Sequence, residues 1–256
     1  MKILVIGDII GDNGLKKAEE EIKKIKKQHK IDFIIANGEN TAEGLGITKQ
    51  TYTKMNNIGI NVITLGNHTW AKKEIFNIIN APNLIRPANY PKGVPGKGYV
   101  IVECNEKKIC VINLIGRTEM SVQAENPFLQ ADNILKNIQE KADIIIVDFH
   151  AEATAEKIAM GYHLDGKVNL VLGTHTHVQT ADNQILEKGT AYITDIGMTG
   201  PKKSIIGMEV EASLKRFLTS IPERYKIANG ESIFNGIILT INDEDCRTEK
   251  IERIFE

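Results

Sequence analysis

Apolar runs of strand length alternate along the chain with segments whose apolar positions recur every three or four residues. "ILVI" (3–6), "FIIA" (33–36), "NVITL" (61–65), "YVIVEC" (99–104), "ICVINLI" (109–115), "DIIIVDF" (143–149) and "VNLVLG" (168–173) are short and rich in Ile and Val, which suit a pleated, buried surface. They predict strands. Between the first two, "GLKKAEEEIKKIKKQHK" places Leu15, Ala18, Ile22 and Ile25 on one helical stripe and leaves Glu19–Lys23 and Glu20–Lys24 as i,i+4 pairs on the wet face. Because acids interleave with the bases, this lysine run reads as a solvated helix face and not as a phosphate-binding patch. Further helices are expected near 48–58, 71–80, 131–141, 152–162 and 209–220.

Residues 81–98 hold four of the seven prolines and read as a long connection. After it, the polar "NEKK" (105–108) between two strands signals a hairpin, and "TAYITDIG", "NGIILTI" and "CRTEKIERIFE" predict a second β-rich patch. No repeat, low-complexity tract or linker divides the 256 residues, so a single domain over 1–256 is expected. The alternation of strands and helices predicts an α/β fold, a layered sandwich of mixed β-sheets flanked by helices.

Charge narrows the partners. With 32 basic and 33 acidic residues the chain has no overall positive field to hold long nucleic acid by its phosphates. "MKILVIGD" is too short for a signal-peptide core and no apolar run approaches membrane-spanning length, so a cytoplasmic protein without a membrane partner is expected. Cys104, Cys110 and Cys246 are odd in number, lack CxxC spacing and read as packing residues.

Candidate chemistry lies where the strands end. Gly7 precedes Asp8, Gly38 precedes Glu39, Gly66 precedes Asn67, and Gly173 stands just before His175. Glycine permits a sharp turn and close approach of a ligand, and in open α/β sheets the carboxyl ends of strands gather along one edge. His150 ends another run, and "GTHTH" presents His175 and His177, which share a face only if the chain there is extended or tightly coiled. Taken singly, Gly-Asp and Gly-Asn can be turn or cap chemistry and His150 a core histidine. Taken together, Asp8, Glu39, Asn40, Asn67, His150, His175 and His177 offer more donors than one ion needs, and their mix of imidazole, carboxylate and amide suits iron, manganese or zinc. Two ions about 3.5–4 Å apart, bridged by one carboxylate, would use them all and serve phosphoester hydrolysis. Asp12 reads as a helix cap rather than a ligand, and His29 and His163 as surface or cap residues. Arg117 reads equally as a grip on phosphate oxygens or as a structural ion pair, and "DIGMTGP" (195–201) as pocket lining or a glycine-rich turn.

In order and spacing, "GD" (7–8), "GEN" (38–40), "GNH" (66–68), His150 and "GTHTH" (173–177) resemble the motif series of calcineurin-like metallophosphoesterases. The chain departs from the general pattern at Ile10, where the superfamily has a histidine, and at Gly38-Glu39-Asn40, where it has Gly-Asp. Both departures resemble the YmdB-type branch, as do "GDIIGDNG", "NGENTAEGLGIT", "NLIGRTEM" and "GTAYITDIGMTGP". The resemblance implies an αββα metallophosphoesterase fold and two divalent metal ions per chain, iron first, manganese or zinc as alternatives. It implies that Asp8, Glu39, Asn40 and His177 hold one ion, that Glu39, Asn67, His150 and His175 hold the other, and that His68 is the proton donor. It further implies hydrolysis of small nucleotide phosphodiesters, with 2′,3′-cyclic nucleotides opened at the 2′ bond, and a homo-oligomer. Two rivals are a mononuclear zinc amidohydrolase, which would leave several donors unused, and a non-catalytic signalling protein with a structural metal. A dinucleotide-binding oxidoreductase is disfavoured because "GDIIGDNG" lacks the GxGxxG spacing.

Overall fold

The computed structural model describes residues 1–256 except Gln139 and Tyr225. The Ile- and Val-rich runs form β1 (Lys2–Ile6), β2 (Asp8–Ile9), β3 (Phe33–Asn37), β4 (Val62–Thr64), β5 (Leu84–Ile85), β6 (Tyr99–Cys104), β7 (Lys107–Ile115), β8 (Ile144–His150) and β9 (Leu170–Thr174). The C-terminal patch supplies β10 (Gln184–Ile185), β11 (Ala191–Ile193), β12 (Met198–Pro201), β13 (Ser232–Ile233), β14 (Asn235–Ile241) and β15 (Thr248–Phe255). Helices are α1 (Gly11–Gln28), α2 (Lys49–Asn57), α3 (Pro127–Ile138), α4 (Thr154–Leu164) and α5 (Val210–Thr219).

Two six-stranded sheets stack, ordered β15-β14-β1-β3-β4-β5 and β10-β11-β9-β8-β7-β6, and a small sheet β13-β12-β2 lies beside them. Within them β1, β3, β4 and β5 run parallel, as do β7, β8, β9 and β11; β14 pairs antiparallel with both β1 and the edge strand β15, and β6 and β10 are antiparallel edges of the second sheet. Strands covered on both faces need apolar residues at successive positions, which is why these runs lack polar alternation. Alternate residues of β1 supply both layers: Ile3 and Val5 meet Ile109, Ile146 and Leu172 between the sheets, whereas Leu4 and Ile6 meet Leu15, Ala18 and Ile22 of α1 outside. The second sheet is covered by Ile134 and Ile138 of α3 and by Met160 and Leu164 of α4. Each such aliphatic side chain contributes roughly 1.5–3 kcal/mol against the entropy of ordering the chain. The mixed-sheet α/β sandwich expected from the alternation is the observed fold.

The 105–108 hairpin is present. Cys104 pairs with Lys107, and Asn105 and Glu106 take φ of 49° and 63°, the left-handed pair that a two-residue hairpin turn requires. Four expectations need correction. The 71–80 segment is a 3₁₀ turn over Lys73–Asn77, not an α-helix. Three β-branched residues, Ile75, Ile78 and Ile79, turn into the core, and Asn77, Asn80 and Pro82 give little helical support. Lys24 bonds Glu21 at 2.7 Å, and not Glu20, because Glu21 is a buried carboxylate that also takes Lys17 at 2.9 Å. Those ammonium groups hold Glu21 below the usual carboxylate range despite the opposing effect of burial. Asp12 is no cap: Ile10 occupies that position without a side-chain bond, and Asp12 accepts from Lys54 at 2.7 Å. The helix expected over 131–141 starts earlier, at Pro127, and its Gln139 lies outside the described residues.

Candidate metal centre

Parallel strands of both sheets end at one place. Asp8 follows β1, Glu39 and Asn40 follow β3, Asn67 follows β4, His150 closes β8, and His175 and His177 follow β9. Glycine is obligatory there: a Cβ on Gly66 would run into His150 and the Glu39 carboxylate, and one on Gly7 into the carbonyl of Gly197. The backbone must come this close for the side chains to converge.

The donors fall into two adjoining groups. His150 Nε2 lies 3.0 Å from Glu39 Oε1, 2.8 Å from Asn67 Oδ1 and 3.1 Å from His175 Nδ1. Beside this group, Asp8 Oδ1 is 3.9 Å from His177 Nε2 and 4.0 Å from His150 Nδ1. Asp8, Glu39, Asn40 and His150 are buried, His175 and His177 partly so. Asp8 Oδ1 and Asn40 Oδ1 make no hydrogen bond among the described residues, although burying an unpaired oxygen is costly. A carboxylate, an amide oxygen and an imidazole nitrogen all aim lone pairs at His150 Nε2, which satisfies them only if a proton or a cation sits between. Glu39, His150 and His175 bring ligand atoms close enough together to hold a divalent metal ion.

Electrostatics point the same way. Burial acts to raise Glu39, but His150 and the N–H of His68, which donates to Oε2 at 2.9 Å, bring it down to about 2. Burial acts to lower His150, yet Glu39 and Asp8 raise it to about 9. Burial and then the His150 charge lower His175 to about 3, so it stays a neutral acceptor. Asp8 is raised by burial despite His177 and His150. Metal ligands bind in their deprotonated form, so a divalent cation held here would take the place of the proton on this cluster. His68 is half-buried, lowered by desolvation, and sits with Nε2 3.3 Å from the Asn67 amide nitrogen.

The two histidines of "THTH" meet the centre through a tight coil, the second alternative the spacing allowed: His175 has φ 102° and His177 φ 65°. Asp8 Oδ2 accepts the His175 N–H at 3.2 Å, and His177 Nδ1 bonds the carbonyl of Ile206 at 2.9 Å. Thr176 between them donates to Asp195 Oδ2 at 3.2 Å, and Asp195 is paired at 2.6 Å with Lys157 of α4, both fully buried. Asp195 also takes the N–H of Gly197 at 2.8 Å, whose carbonyl receives the Asp8 N–H at 3.0 Å. One ion pair thus holds the double-histidine turn and the Asp8 strand together. Behind His150, Thr174 Oγ1 lies 2.9 Å from Nδ1 and donates to Asp148 Oδ1 at 2.7 Å, while Thr64 Oγ1 donates to Oδ2 at 2.5 Å. Sequence reading did not single out Lys157, Asp195, Asp148, Thr174 or Thr64. Arg117 is exposed, with its backbone N–H on Glu156 at 3.1 Å, and His163 pairs with Asp132 on the surface at 3.1 Å.

The stacked mixed sheets, with donors at their shared strand ends, define the class: the chain has the fold of the calcineurin-like metallophosphoesterases. Within that class it belongs to the family of YmdB-like proteins, whose model matches residues 4–254. It is 49% identical, over its full length and 97% of the relative, to the 2′,3′-cyclic-nucleotide 2′-phosphodiesterase of Bacillus subtilis. Its fold superposes with a TM-score of 0.95 on a novel phosphatase from Mycoplasma pneumoniae, 34% identical, covering all of this chain and 93% of that one. A hypothetical protein from Thermus thermophilus gives a TM-score of 0.94 at 40% identity, covering 100% and 99%.

Proposed function

We propose that this protein is a dinuclear metal-dependent phosphodiesterase that opens 2′,3′-cyclic nucleotides at the 2′ bond. The observation that carries the proposal is the ring of lone pairs around His150 Nε2, adjoined by the unpaired oxygens of Asp8 and Asn40. The name of the Bacillus subtilis relative supports the substrate class. Asp8, Glu39, Asn40 and His177 would hold one ion, and Glu39, Asn67, His150 and His175 the other, with Glu39 shared. When bound, the ions supply Lewis acidity, offsetting phosphate charge and making water a competent nucleophile near neutral pH.

The chain's own groups do the rest. His68, whose Nε2 lies beside the Asn67 amide, would give its proton to the departing ribose oxygen, a poor leaving group as an alkoxide. Its backbone N–H on Glu39 ties the position of the donor to that of the shared carboxylate. Iron is the first choice of metal, and the protein works in the cytoplasm as a homo-oligomer on a small nucleotide. No helix among the described residues is long and apolar enough to cross a membrane.

Metal analysis paired with hydrolysis of 2′,3′-cyclic AMP tests this, using the wild type and the Glu39→Ala, His177→Ala and His68→Ala variants. About two ions per chain and turnover lost in folded variants are expected. One ion or none, with no hydrolysis after iron or manganese is restored, would overturn the proposal in favour of a non-catalytic metal protein.

A further inference from the structure

We infer that Asp148, acting through the hydroxyl of Thr174, is a positioning residue that fixes the tautomer of His150, so that its Nε2 lone pair faces the cation site. The inference rests on the ligand role of His150 proposed above. A threonine hydroxyl has one proton to give. Asp148 is buried and accepts a hydroxyl on each of its two oxygens, Thr174 on Oδ1 and Thr64 on Oδ2. Thr174 therefore spends its proton on Asp148 Oδ1 at 2.7 Å and offers Nδ1 of His150, at 2.9 Å, only lone pairs. Nδ1 must carry a proton, which leaves Nε2 free for a metal. The Asp8 oxygen, 4.0 Å from the same Nδ1, is too distant to compete as a hydrogen-bond acceptor.

The backbone makes this arrangement durable. His150 and Thr174 are directly paired residues of parallel β8 and β9, and Asp148, two residues before His150, shares its face of the strand. The second oxygen of Asp148 takes Thr64 Oγ1 from β4, in the other sheet. Asn67 follows that strand by three residues, so one carboxylate steadies candidate ligands from both sheets. Metal-bound histidines commonly give their second N–H to a carboxylate directly; in this chain a hydroxyl stands between.

The test compares Thr174→Val, which removes the hydroxyl at nearly constant volume, with Thr174→Ser, which keeps it. Mn²⁺ is titrated calorimetrically into metal-free protein, and the imidazole N–H protons are observed by NMR. Thr174→Val should weaken Mn²⁺ binding about 10–100-fold, the usual effect of losing an outer partner of a metal ligand, and lose the slowly exchanging Nδ1–H signal of His150. Thr174→Ser should restore most of both. Asp148→Asn, whose amide can donate to Thr174 and reverse the hydroxyl, should weaken binding likewise; if it does not fold, the Thr174 pair decides alone. Wild-type affinity in Thr174→Val, or equal losses in the Val and Ser variants, would overturn the relay. If His150→Gln binds Mn²⁺ as wild type does, the ligand reading fails instead, while the Nδ1–H signal still judges the hydrogen bond itself.

Discussion

His150 and the His175–His177 pair reach the same centre from adjacent strands, by opposite means. His150 completes β8, whose seven residues are all buried, in an ordinary strand backbone with its ring locked by neighbours. His175 and His177 stand past the end of β9 in left-handed backbone, where a non-glycine residue is strained, and both are partly exposed. The first is held by packing and ring hydrogen bonds. The second is held by carboxylates that grip its backbone, Asp8 at His175 and Asp195 at Thr176. Strain concentrated in one half of a site is a property of functional turns, and it means the two halves should fail differently.

The largest effect is expected where the halves join. Glu39 contacts His150 directly and receives the His68 N–H, so Glu39→Ala should remove turnover by more than the roughly 10⁴ that bounds a general-acid deletion. Turnover and metal content measured together check this; a variant retaining both would show that the halves do not share a carboxylate. Next, His68→Ala should lower turnover about 10²–10⁴-fold at unchanged metal content, separating proton delivery from ligation. Metal lost along with turnover would instead make His68 part of the binding half.

Lys157→Met strikes the turn and the Asp8 strand tied to it, but not the strand that carries His150. It leaves Asp195 buried and unpaired, which should cost about 3–5 kcal/mol in urea unfolding of the metal-free protein. The His175 and His177 ring signals should shift in NMR while that of His150 stays. Equal shifts at all three would break the distinction between the halves.

This ion pair also shows where sequence reading stopped. Strand ends could be read because buried β-runs are apolar and their polar termini stand out, so Asp8, Glu39, Asn67, His150 and the "THTH" pair were visible. Their supports lay among unremarkable residues. On α4 the buried stripe is Lys157, Met160, Gly161 and Leu164, with Ile158 exposed beside it. A lysine on the apolar stripe was a readable signal of a buried partner, but Asp195, 38 residues on, could not be named from periodicity. Asp148 was hidden more simply, inside the run "IIIVDFH", one polar residue in a strand whose face depends on register. The 71–80 turn escaped because its isoleucines keep helical spacing while the backbone closes three-residue bonds, as from Ile78 to Ile75 at 3.0 Å.

The smallest effect is the sharpest discriminator of the two halves, because it uses one substitution at both. Asparagine tolerates left-handed backbone better than most residues. At position 177, His→Asn gives up the bond from Nδ1 to the Ile206 carbonyl, worth roughly 0.5–1.5 kcal/mol, and in exchange relieves backbone strain at φ 65°. The two nearly cancel, so His177→Asn should change the stability of the metal-free protein by less than about 1 kcal/mol. At position 150 no strain is relieved. There His→Asn empties ring volume from a fully buried site and strands Thr174, Asn67 and Glu39, so the loss should exceed the roughly 1–3 kcal/mol of one unsatisfied buried group. Urea unfolding of both variants without metal reads the difference. Equal losses would mean that the turn is packed as firmly as the strand, and that its positive φ angles carry no stored strain.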